Sequence, residues 1–223
     1  MDDERGPHAI LSWVAAHAIE FFLLFLAGPA LFAYTRHRIP AIPALWAWTA
    51  WCLYALLRDP HFERRDLWDT SGFWRYAPGI LGFFFVVLCI GIVLVRRYAP
   101  ELFLGLPRSN PRVWALLMVL YPLLSVYPQG IVFRVLIFHR YRDIFGPGWA
   151  IVSASAVAFA WVHIAFHNRL ALILTGLGGV LFGLRYLQTG SLLISSFEHA
   201  LYGCAIFTIG IGRSFYHSAM RRV

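Results

Sequence analysis

The sequence predicts an all-α bundle of about seven or eight membrane-spanning helices, and three observations predict it. Hydrophobic residues make up 60% of the 223 positions and Asp, Glu, Lys and Arg only 13%, where soluble domains carry roughly 45–50% and about 25%. Mean hydropathy is +0.65. Apolar runs of about 20 residues, the length a helix needs to cross about 30 Å of hydrocarbon, recur along nearly the whole chain. A water-soluble fold of this length has too little interior to hide that surface, so lipid covers part of it.

On this ruler the spans fall at 9–34, 41–57, 76–95, 112–141, 148–167, 170–187 and 191–212. The first follows MDDERGPH, which is acidic where a cleavable signal begins basic, so it is expected to be retained as a span. The second is short and is expected to tilt little or to lie partly in the interface. The fourth is too long for one crossing and holds Pro122 and Pro128. Each proline removes a backbone donor, which predicts a broken helix or two segments and is the source of the eighth span. The sixth contains Gly176, Gly178, Gly179 and Gly183. Small residues let helices approach closely in lipid, so it is expected at the centre of the bundle. Without internal repeats or long linkers, one membrane domain over 1–223 is the simplest division.

The net charge of +8 comes from 19 arginines, no lysine and 11 acids. These arginines are scattered between apolar runs, which fits anchoring to anionic lipid head groups and not a nucleic-acid-binding face. Eight fall at the end of the bundle that holds the N-terminus and ten at the other, so the positive-inside rule leaves orientation open. Cys52, Cys89 and Cys204 each lie in an apolar run without CxxC spacing, which excludes a disulfide framework and a thiolate zinc site.

Ionisable groups at membrane depth are costly and therefore informative. His17 and Glu20, at i and i+3, read as a structural pair joining the first span to its neighbours. His163 and His167 in HIAFH share a face if the helix continues, a spacing metal ligands use, and His199 or Glu198 would supply a third ligand. The glutamate of an HExxH helix is missing, and Asn168 and Arg169 equally mark His167 as a hydrated helix end. Glu198 and His199 are adjacent, about 100° apart on a helix, so they cannot both face one narrow cavity. Arg134 in GIVFRVLIF cannot shed its proton and needs a counter-group. Either Glu198 provides it, or Arg134 snorkels to the interface with His139, Arg140 and Arg142.

Three segments on separate spans carry a resemblance: PQGIVFR (128–134), FAWVH (159–163) and EHALYG (198–203). In order and spacing they resemble the EExxxR, FxxxH and HxxxN or HxxxD motifs of the CPBP family of intramembrane endopeptidases. That family includes CAAX prenyl protease 2 and the bacteriocin-processing Abi proteins. The resemblance covers roughly residues 110–215, and the first hundred add nothing to it. It implies a cavity inside the membrane where a glutamate activates water against a peptide carbonyl, while histidines and an Asn stabilise the oxyanion. Carried over by position, Arg134 is the motif arginine, His163 and His199 are the histidines, and Phe159 is a packing residue.

Two departures bear on activity. The paired glutamates fall on Gln129 and Gly130, and the last residue of the third motif falls on Gly203. Some branches of the family carry PQE and EHALYG. Against that pattern the missing group is the general base, at Gly130, and Gln129 orients water without taking its proton. Glu198 is the remaining nearby carboxylate, on an unfavourable face.

The resemblance thus implies an endopeptidase of the CPBP type, impaired in turnover, in a bacterial inner membrane. Its partners would be membrane peptides or proteins, either lipid-modified tails or leader and anchor peptides. No cofactor is required, although a divalent metal is compatible with the histidines. Two other readings stand beside it. One is a non-catalytic protein that binds a transmembrane or peptide segment in the same cavity. The other is a histidine-lined transporter or metal protein.

Overall fold

The computed structural model describes residues 7–35 and 38–212. Residues 1–6 and Arg36, Arg213, Arg221 and Arg222, on which the signal-peptide and charge-balance expectations partly rest, lie outside them. Among the described residues the chain forms long helices joined by short turns, as backbone in hydrocarbon must satisfy its own hydrogen bonds. Helix α1 runs through Pro7–Phe22, a π-turn at Leu23–Ala27 and Gly28–Thr35. Next come α2 (Ala41–Arg58), α3 (Phe73–Tyr98) and α4 (Pro111–Arg140). The last three are α5 (Trp149–Val162), α6 (Arg169–Thr189) and α7 (Leu192–Ile209). With the 3-10 turn that carries α5 on to Phe166, all but α2 are long and apolar enough to cross a membrane, which makes this an integral multi-pass membrane protein of 6 candidate spans among the described residues. In α2 three tryptophans and Arg58 lower the hydropathy, matching its expectation as the odd span.

Helix α4 departs from the sequence expectation: it is neither broken nor two segments. Pro122 and Pro128 remove the N–H groups that would bond to the carbonyls of Met118 and Leu124. Neighbouring helices satisfy both. Trp46 Nε1–H donates to Leu124 O at 3.1 Å, and Cys204 Sγ lies 3.9 Å from Met118 O. Instead of kinking apart, the helix opens into π-turns at Pro122–Val126 and Ile131–Leu136. No eighth span results.

The middle of the bundle is also displaced from the expected place. Residues 131–137 of α4 are all buried, enclosed by α1, α2, α5 and α7. The glycine-bearing α6 is instead buried on one side only. Its Gly179 sits where a Cβ would lie 2.8 Å from Ala156 Cα, so the glycines there bring α6 against α5. Small residues decided a pairwise approach, and bulky aliphatics filled the centre.

Polar clasps hold one end of the bundle. Glu20 of α1 accepts from Arg140 Nε at 2.7 Å, Arg140 Nη2 at 2.8 Å and Tyr141 Oη at 2.8 Å. This is the structural pairing expected of Glu20, while His17 Nδ1 bonds within its own helix to Trp13 O at 2.9 Å. Asp59, just after α2, meets His139 Nε2 at 2.9 Å. Beneath them Phe21, Phe25, Trp48 and Phe133 pack with ring centroids 4.8–6.0 Å apart, in tilted and edge-on geometries. Here the aromatics of the first two spans turn inward.

Side-chain caps open the last two helices. Asn168 Oδ1 accepts from Leu170 N at 2.8 Å to open α6, and Ser191 Oγ accepts from Ile194 N at 3.2 Å to open α7. Gly190, with φ +62°, makes the tight reversal between them, a backbone state that glycine adopts without strain.

Candidate functional site in a cavity among the helices

A stripe of α4 residues at four-residue spacing, Tyr121, Ser125, Gln129 and Phe133, faces a cavity of about 1640 Å³. Four residues exceed one α-helical turn, so such a stripe would drift around a regular helix. The two π-turns, with more residues per turn, keep it aligned. The opposite wall comes from Phe159 and His163 at the end of α5, Phe182 of α6, and His199 and Tyr202 of α7. Leu24 of α1, Trp48 of α2 and Phe84 of α3 complete it, so the first hundred residues, silent in the sequence comparison, build part of the enclosure. The lining is overwhelmingly apolar, and among the described residues no carboxylate belongs to it.

Phe159 is the hub. Its ring centroid lies 4.9 Å from that of His163 and 5.3 Å from that of His199, and Arg134 Cζ lies 5.0 Å above it. The three motif residues, separated by up to 65 positions in the chain, therefore surround one aromatic ring. His163 Nδ1–H donates to Phe159 O at 2.6 Å. A carbonyl only accepts, so this contact assigns the Nδ1 proton and leaves Nε2 of the neutral ring with its lone pair. His199 stacks on Phe182, with centroids 4.5 Å apart and planes at 21°, and its Nε2 lies 3.4 Å from Tyr121 Oη.

The two positions of the first motif face different ways. Gln129 lines the cavity and donates from Nε2 to Ser125 Oγ at 2.7 Å. Gly130, one step around α4, is buried against α7. A Cβ there would overlap the end of Leu192, lie 3.1 Å from Ser196 Oγ and lie 3.6 Å from Arg134 Nη1. Position 130, where the sequence comparison put the missing base, thus points toward the arginine, and position 129 points into the cavity.

Arg134 follows neither sequence expectation. It does not snorkel, being 1% exposed, and its partner is not Glu198. It lies between the rings of Phe159 and Phe182, 5.0 and 5.1 Å from their centroids, and neither Nη atom has a hydrogen-bond partner among the described residues. Two cation–π contacts in a dry site are worth about 2 kcal/mol each, against several kcal/mol for desolvating the ion. Glu198 is fully buried and instead accepts from Arg185 Nε at 2.8 Å and Nη2 at 3.4 Å, with 16% of the Arg185 side chain exposed. Arg185, within α6, is the counter-ion. The 100° between Glu198 and His199 does what that angle predicts, sending one to Arg185 and the other to the cavity.

The metal-like HIAFH pair is undone by local backbone. Helix α5 ends at Val162, a 3-10 turn spans His163–Phe166, and His167 takes φ +48° at the exposed end. The two imidazoles therefore do not share one α-helical face. Among the described residues no three His, Cys, Asp or Glu side chains come together as a metal-binding group. At the third motif, a Cβ on residue 203 would overlap the ring and hydroxyl of Tyr121. Neither Tyr121 nor Ser125 was singled out in the sequence. Their four-residue register with Gln129, three polar groups in an apolar run, was the available signal.

Residues 111–205 match the family model described as type II CAAX prenyl endopeptidase, Rce1-like. The matched segment holds all three motifs and agrees with the CPBP resemblance they carry. No curated protein and no solved structure matches the chain significantly.

Proposed function

We propose that this chain, whose residues 111–205 form an Rce1-like domain, is an intramembrane endopeptidase of the CAAX-protease type with slow intrinsic turnover. The observation that carries this reading is the grouping of Gln129, His163 and His199 on the wall of one apolar cavity beside Phe159. The cavity is larger than the 300–1,000 Å³ typical of small-molecule sites. Its volume and apolar lining suit a peptide segment that bears a lipid or comes from a membrane anchor.

Within it Gln129 orients a water through its side-chain carbonyl. The free Nε2 of His163 accepts the proton as that water attacks a peptide carbonyl, His199 faces the developing oxyanion, and His163 then hands the proton to the leaving amine nitrogen as the C–N bond breaks. Turnover is slow because glutamine and glycine stand where the resemblance expects carboxylates, and because Glu198 is committed to Arg185. With an imidazole in place of the expected carboxylate base, part of the roughly 10²–10⁴-fold that such a base supplies is forfeited.

The same lack of a carboxylate in the cavity wall favours a second reading, a non-catalytic protein that holds such a segment without cutting it. Purified protein and its His163→Ala variant, incubated in detergent with prenylated C-terminal peptides and with leader peptides, distinguish the two by mass spectrometry. Slow cleavage that His163→Ala abolishes supports the endopeptidase. Saturable binding without product in either form supports the holding protein and refutes the endopeptidase for those substrates.

A further inference from the structure

Resting on the cavity as the working site, we propose that Tyr121 is a positioning residue for His199, its hydroxyl standing where a polar side chain at position 203 would otherwise reach. The His199 ring is walled by aromatics, with Phe182 stacked on one face at 4.5 Å and Phe159 edge-on at 5.3 Å. Its Nδ1 has no hydrogen-bond partner among the described residues, and its Nε2 meets the Tyr121 hydroxyl at 3.4 Å. That hydroxyl is thus the group that distinguishes the two ring nitrogens. It biases which one carries the proton and fixes the ring's rotation about its stacked face.

Gly203 makes this possible. It lies one turn beyond His199 on α7, so a side chain there would point along the same face. The absence of a Cβ admits the Tyr121 ring into that space. Phe207, one further turn along, closes over the ring edge-on at 5.2 Å. Tyr121 and Gly203 therefore form a matched pair across α4 and α7. A bulky phenol on one helix needs glycine on the other, and the departure from the third motif at Gly203 is the counterpart of a hydroxyl delivered from α4.

The test uses the full chain in detergent, with 15N-labelled histidine read by NMR and cleavage read separately. Tyr121→Phe keeps the ring on Gly203 and removes only the hydroxyl. It is expected to leave the thermal midpoint in place, to shift the ring-nitrogen resonances of His199 and to leave those of His163 unmoved. Where cleavage is measurable, kcat should fall on the order of 10-fold or more with KM little changed. Tyr121→Ala combined with Gly203→Asn returns a polar group to His199 from α7, and should move its resonances and the rate back toward the parent. Unmoved His199 resonances in Tyr121→Phe overturn the proposal, as does an unchanged kcat. If no form cleaves, the endopeptidase reading fails while the resonances still decide this one.

Discussion

Gln129→Glu and Gly130→Glu are adjacent substitutions that place the same side chain in different surroundings, and the geometry predicts opposite readouts. At position 129 the new carboxylate enters the cavity wall and keeps the bond to Ser125, whose hydroxyl turns to donate across the 2.7 Å contact. A general base beside the attacked carbonyl should raise cleavage on the order of 10²–10⁴-fold, about 3–5 kcal/mol off the barrier. At position 130 the carboxylate meets Arg134 Nη1 and Ser196 Oγ once the end of Leu192 moves aside. There it pairs a buried guanidinium that has only ring faces for company, and it replaces a mid-helix glycine at a gain of about 0.5–1 kcal/mol. The expected outcome is a rise in stability of about 1–3 kcal/mol, or about 2–4 °C in Tm per kcal/mol, with little gain in cleavage. The assay is mass-spectrometric product formation beside thermal unfolding in the same detergent. Cleavage restored by Gly130→Glu but not by Gln129→Glu would refute the assignment of which position faces the cavity.

Glu198→Gln should cost about 3–5 kcal/mol of stability by leaving Arg185 without its counter-charge, a drop read as a lower Tm, while peptide binding in the cavity is retained in the folded fraction. Trp46→Phe strips the Leu124 carbonyl of its donor beside Pro128 and should cost about 1–3 kcal/mol, with faster hydrogen exchange in the middle of α4. Two loop carboxylates give opposite pH dependences. The backbone N–H of His61, and then His139, hold the Asp59 carboxyl below its ordinary 3.8, so its contribution is present above that pH and is lost as pH falls through the lowered value. Burial, and then the charge of Glu63, push Asp66 upward, so its ionised form costs stability once pH rises past the raised value. Asp66→Asn should therefore stabilise at neutral pH, by about 0.5 kcal/mol after solvent screening, and leave the acid limb unchanged in a melting series across pH.

The sequence by itself determined that this chain lives in lipid, where its long apolar helices lie, and which three segments resemble the family motifs. Those properties follow from local quantities: apolar run length against bilayer thickness, and motif spacing along single helices. What it left open were the questions of facing. Whether Arg134 meets Glu198, whether His167 joins His163, and whether position 129 or 130 looks into the cavity each turned on which way a side chain faces once the helices pack, with π-turns in α4 and a 3-10 turn after α5 shifting the register. At those turns neighbouring side chains satisfy the carbonyls: Trp46 Nε1–H donates to Leu124 O, which Pro128 leaves without a helical donor, and Ser155 Oγ–H donates to Phe133 O. The same holds for Arg185 and Glu198, and for Tyr121 over Gly203: each is a match between different helices. Tertiary packing decided them, since the free energy that selects one rotation over another comes from contacts the chain makes only after its spans have assembled.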